Sequence, residues 1–396
     1  MVIVLKRIAM SVMVVCFLMC FFCCCDVWAM ENVDNIASAA DISQTLNYGE
    51  LDNVLNQLNS YFQENYGTFA IGEFWNQIKQ GNLDFDFTDF FYMILDLFFG
   101  DMNDCLIILV QLLALVIITA FIGNFEIAFQ GQTANFASKI IYLVLAGVAL
   151  QAFVICGNSV TDAVTLMTDF LYAIIPILLT LFVAMGGITS IGLYNPLLMF
   201  AVMTAMNLIN YFILPLVYCN AGLSVVSKLS NDFDLSKLGK LMRTVALGVL
   251  ALTFTLFTTV VAIVGLGSAS MDGIAMKTAK SALGIFVPIV GRSVADLWGT
   301  LMGTALVLKN CLGIAGVLMI IAICMVPAIK TLIMSWIFKL CGALAEPMGN
   351  KEISGILSDL GGVLTVMFAV VTACGIFFFF LLAITMAMGN INMAVS

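Results

Sequence analysis

Lys277 and Lys280 lead into the apolar run Ile285-Phe286-Val287-Pro288-Ile289-Val290-Gly291, and Arg292 and Asp296 follow it. Charges around a broken apolar run can hold an anion, pair with an acidic partner group or line a passage. The run is too short to cross a bilayer, which takes roughly 20 apolar residues. Pro288 removes a backbone donor and disfavours helix at Val287. Lipid cannot satisfy the freed backbone groups, so such a segment has to be shielded by protein or lie at the interface. Arg292 and Asp296 are four apart and would share one helical face. Lys309 is the remaining cation of this region. If residues 296–327 form one helix, it lies within a span and needs a partner, because an ionised group deep in a bilayer is costly.

Acid–base, nucleophilic and metal chemistry have little to stand on. The chain has no His and no GxSxG, HExxH or Walker A pattern. Cys20 and Cys23 have metal or redox spacing but fall in an apolar leader. Cys105, Cys156, Cys219, Cys311, Cys324, Cys341 and Cys374 are scattered through apolar stretches and read as small buried hydrophobes. No enzyme activity, cofactor or metal is expected.

Composition decides which elements must position these residues. Hydrophobic residues make up 62% of the chain and charged residues 10%, and the mean hydropathy is +1.11. A soluble globule would need more polar surface. The expected fold is therefore an all-α polytopic membrane protein. The net charge of −9 comes almost wholly from residues 26–104, where fourteen Asp and Glu face Lys79 alone.

Lys6 and Arg7 before the apolar run Ile8 to Cys25, with Val27-Trp28-Ala29 after it, read as an export signal over residues 1–29. An uncleaved anchor is the alternative, and either places the acidic segment 30–104 outside the cytoplasm. There Leu51, Val54, Leu55, Leu58, Tyr61 and Phe62 recur at helical spacing, as do Ile71, Phe74, Trp75 and Ile78. A third amphipathic helix is expected from Thr88. These helices serve as a cap or as a partner surface.

Residues 105–396 form the polytopic domain, with apolar stretches at 105–123, 140–157, 170–191, 197–219, 244–267, 311–329, 331–345 and 360–389. About 7–8 membrane segments are expected, one or two of them broken or re-entrant. Counting four crossings from an external residue 104 puts Lys228 to Arg243 outside, against the preference of Lys and Arg for the cytoplasmic side. Pro176 and Gly186-Gly187 make 170–191 the re-entrant candidate that would resolve the conflict. Ile175-Pro176-Ile177 also echoes Val287-Pro288-Ile289, and paired broken helices keep a secondary transporter or permease as the alternative function. Gln111, Gln151, Asn207 and Asn210 are polar groups inside spans, suited to interhelical hydrogen bonds.

These features together resemble one family. Lys277-Thr278-Ala279-Lys280, Phe286-Val287-Pro288-Ile289-Val290-Gly291-Arg292, Pro327-Ala328-Ile329-Lys330 and Glu346-Pro347-Met348-Gly349, in this order behind an exported amphipathic segment, resemble stage III sporulation protein AE. Glu346 and Asn350 depart from the Gln and Asp expected there. The resemblance implies a non-enzymatic component of the channel or secretion-like complex between mother cell and forespore, needed for late forespore gene expression. It further implies the mother-cell membrane as location, other stage III A proteins as partners and a forespore membrane partner reached through them. Beyond the lipid bilayer and these proteins, no nucleic acid is expected, and a homo-oligomer is compatible. Lys277, Lys280, Pro288, Gly291, Arg292, Asp296, Pro176 and Lys309 are the candidate partner-contact or passage-lining positions.

Overall fold

The computed structural model describes residues 49–66, 105–121, 132–184, 188–229, 235–286, 291–348 and 351–394. Every regular element among them is helical: α1 (Gly49–Tyr66), α2 (Cys105–Phe121), α3 (Gln132–Ala184), α4 (Ile188–Leu208), a π-helical turn (Ile209–Ile213), α5 (Leu214–Leu229), α6 (Ser236–Phe286), α7 (Gly291–Ala345) and α8 (Lys351–Ala394). The signal run, the helices expected from Ile71 and Thr88, and Pro288 lie outside the described residues.

The eight apolar stretches fall on six helical rods, with α4 and α5 counted as one. Stretch 140–157 and residues 170–184 are joined in α3, Gly186-Gly187 lie outside the described residues and 188–191 belong to α4, whereas 311–329 and 331–345 are joined in α7. Five helices are long and apolar enough to cross a membrane, and Cys105–Phe121 is a shorter apolar one. This corrects the expected break at Pro176, which sits inside α3 with the helix continuing past it to Ala184. A helix-interior proline costs about 3 kcal/mol. Here the ring is exposed, whereas its neighbours Ile174, Ile175, Ile177 and Leu178 are buried in the core. Packing on both sides of the proline therefore holds the helix together. Gly284 lies inside α6 and Gly299 inside α7, so neither glycine interrupts its helix.

The one irregularity inside a described rod is elsewhere. Pro215 cannot donate to the carbonyl four residues back and its ring crowds that carbonyl. The chain relieves this with the π turn at Ile209–Ile213, so α4 and α5 form one uninterrupted rod.

The hairpin α7–α8 is the centre of the bundle. α3 and α6 pack against it, α5 lies between α6 and α8, and α4 packs on α6. Phe377 of α8 meets Phe254 and Phe257 of α6 at ring-centroid separations of 5.6 and 4.6 Å. Close approach of α3 and α5 requires Gly157, because a Cβ there would lie 2.6 Å from the Tyr218 hydroxyl. That ring stands edge-on to Phe153, and its hydroxyl is 3.3 Å from Thr161 Oγ1.

α1 contributes what its spacing predicts. Leu55 and Leu58 are buried in the common core, Asn53, Asn56 and Gln57 are exposed, and the helix packs on α3. At 1.5 Å per residue, the 38-residue candidate span Leu308–Ala345 rises roughly 57 Å. A hydrocarbon layer of roughly 30 Å crossed at the steepest usual tilt takes up only about 40 Å of helix. The bundle is taller than a bilayer's apolar layer.

Candidate functional site

Two polar sites interrupt the apolar contact between α7 and α8. Lys309, on the first third of α7, has no exposed surface, and its Nζ donates to the Met386 main-chain carbonyl at 2.7 Å. The surroundings are tight: a side chain added at Gly313 would collide with Met386, and one at Gly316 would meet Ile174 of α3 and Leu382 of α8 at 3.0 Å. Because residues 296–327 do lie on one helix, Lys309 needs the partner, and a main-chain carbonyl of α8 supplies it.

The second site lies at the other end of the hairpin. Ser335 Oγ and Thr365 Oγ1 both donate to the Gly361 carbonyl, at 2.7 and 2.9 Å, and Lys339 Nζ donates to Thr365 Oγ1 at 2.6 Å. Arg243 of α6 lies against Gly362, where any side chain would collide with its guanidinium. Asp359 is the carboxylate that acts electrostatically on Arg243. The glycine pair Gly361-Gly362 thus makes room for two cations from two different helices.

Sequence reasoning placed Arg243 in a loop and did not single out Lys339. Both are helical, with Lys237, Lys240 and Arg243 in the first turns of α6. The grouping depends on contacts between α6, α7 and α8, far apart in sequence. The available hint was the glycine doublet beside Asp359 and Thr365 in an otherwise bulky apolar helix.

This arrangement also orders the ends of the bundle. Arg243 near the start of α6, Lys339 near the end of α7 and Asp359 near the start of α8 come together, and Glu352 acts on Tyr142 near the start of α3. The starts of α3, α6 and α8 and the end of α7 therefore share one end, which holds Lys237, Lys240, Arg243, Lys339 and Lys351. Lys339 and Lys309 are thirty positions apart on α7, a rise of about 45 Å. One hydrocarbon layer cannot contain both.

The remaining sequence candidates divide as follows. Lys277 and Lys280 lie in the last turns of α6, Gly291 opens α7, and Arg292 and Asp296 follow in its first two turns. Their side-chain surroundings and Pro288 lie outside the described residues. Pro176 is on the exposed side of α3 and is part of no break. Among the described residues, no group of three or more Cys, Asp or Glu is placed to hold a metal. What the two sites can do is hold charge between apolar helices.

The family model of stage III sporulation protein AE matches residues 69–389. Stage III sporulation protein AE of Bacillus subtilis (strain 168) is 30% identical over 378 residues, covering 90% of this chain and 94% of that protein. No solved structure matches the chain.

Proposed function

The chain belongs to the stage III sporulation protein AE family, and on that premise we propose that it is a non-enzymatic, multi-pass membrane component of the channel or secretion-like complex joining mother cell and forespore. The carrying observation is that the family match extends over nearly all of the helical bundle, including its five long apolar helices. The complex occupies the mother-cell membrane around the forespore and includes other stage III A proteins and, through them, a forespore membrane partner. A bundle taller than one hydrocarbon layer offers such partners surface beyond the lipid. The permease reading loses its main support, because Pro176 lies in a continuous helix and the paired broken helices are not formed.

The same helix continuity supports one topology. From an external residue 104, α2 enters, α3 leaves and the α4–α5 rod enters again, so Lys228 to Arg243 is cytoplasmic. Three crossings precede that loop instead of four, and the conflict with the charge rule disappears. Residues 1–29 act as the signal and 30–104 face outward. A fluorescent-protein fusion within 230–234 is expected to shine and one within 287–290 to be dark, with alkaline phosphatase giving the opposite pattern. The reverse result would overturn this orientation.

The functional reading is tested by deleting the gene in a spore former that carries it. Late forespore gene expression and spore yield are expected to fail and to return when the gene is restored. Normal late expression in the deletion strain would sink the reading.

A further inference from the structure

Asn207 stands in the charge-free span Pro196–Ser227, eleven residues from its start and twenty from its end. The nearer end is about 16 Å away along the helix. Its side chain is exposed on the outside of the α4–α5 rod, and no hydrogen bond reaches it among the described residues. Asn210, one turn on within the π turn, carries a buried Oδ1 that also lacks a hydrogen-bond partner. Thr204 on the same face differs, because its hydroxyl donates to the Phe200 carbonyl of its own helix at 2.7 Å.

A carboxamide facing hydrocarbon with nothing to bond costs roughly 2–7 kcal/mol, depending on the reference medium. We propose that this face of the α4–α5 rod is a two-fold interface with a second copy of the chain, centred on Asn207. A carboxamide carries donor and acceptor together, so two identical ones satisfy each other with two hydrogen bonds. The bilayer holds all copies in one orientation, so a two-fold axis runs along its normal. A helix near that axis then meets its own copy in parallel, and Asn207 faces Asn207.

The rest of the face suits contact between helices. Tyr211, 80% exposed, and Phe200, 69% exposed, provide large contact area. Gly222 is open, with nothing within 4 Å of an added Cβ, and permits close backbone approach. The inference concerns assembly of this chain with itself and stands whether or not the complex proposed above forms.

The test uses the full-length protein in its own membranes, in a Cys219→Ser background because Cys219 is an exposed thiol. Asn207→Cys and, separately, the outward-facing α6 position Ile263→Cys are oxidised with copper phenanthroline. A disulfide-linked dimer several-fold more abundant for Asn207→Cys than for Ile263→Cys is expected. In mild detergent, Asn207→Leu is expected to shift the protein from dimer to monomer at unchanged thermal stability, and Asn207→Gln to retain the dimer. Equal cross-linking at both positions would overturn the proposal. So would a cross-linked band of another mass, which indicates a foreign helix, or rapid labelling of Asn207→Cys by a membrane-impermeant thiol reagent without dimer, which indicates an aqueous passage.

Discussion

Lys309→Glu is expected to abolish accumulation of the protein, whereas Lys309→Met accumulates normally and still fails to support spore formation. The side chain is fully buried and its Nζ rests on the Met386 carbonyl oxygen. A carboxylate in that place would face an acceptor with no proton to offer. Leaving a buried charge uncompensated costs on the order of 3–5 kcal/mol, a large part of what holds a bundle together. Methionine keeps the length and flexibility of the lysine stem and fills the same space without a charge to desolvate. Such replacements are often neutral or stabilising by roughly 1–4 kcal/mol.

If packing alone were required at position 309, an apolar residue would serve at least as well. A lysine among apolar helices is costlier than an apolar residue of the same length, and that cost points to use of its amine. The measurements are membrane abundance and melting temperature in detergent, set beside spore yield in the complemented deletion strain. A Met variant that sporulates like the parent would reduce Lys309 to a packing residue.

Gly361→Val is expected to lower the melting temperature sharply, while Gly248→Ala leaves it unchanged or slightly raised. A Cβ at Gly361 would lie 3.0 Å from the Ser335 carbonyl oxygen and 3.3 Å from the Lys339 nitrogen, both main-chain atoms of α7. Backbone cannot rotate aside, so α7 and α8 have to separate. Overpacking of this kind costs about 1–3 kcal/mol, and here it also pulls the Gly361 carbonyl away from Ser335. At Gly248 an added Cβ meets nothing within 4 Å, and alanine gains up to about 1 kcal/mol of helix propensity. Thermal unfolding of the purified variants separates the two. Equal melting temperatures would mean that the α7–α8 contact is looser than described.

The structure supports much of the sequence reading, though unevenly. Leu55 and Leu58 follow from helical spacing alone, because a period of 3.6 marks the buried face without reference to any neighbour. The dependence of Lys309 on a partner follows from charge and apolarity. Its partner does not, since a main-chain carbonyl carries no mark in the sequence. Pro176 was misleading because a local rule, that proline ends helices, is overridden when both flanks are packed. The strain appears instead ahead of Pro215, as a π turn.

Composition and periodicity by themselves determined an all-helical chain built for a membrane, an acidic stretch ahead of it and the scarcity of catalytic groups. The order of its short motifs further indicated a family. These properties are local or additive, and they do not depend on which helix meets which. The continuity of α3 was decided by the packing around Pro176. The meeting of Arg243, Lys339 and Asp359 arises only when α6, α7 and α8 converge on Gly361 and Gly362. Residues more than a hundred positions apart become neighbours there because α8 occupies the centre of the bundle, and only the folded chain puts it there.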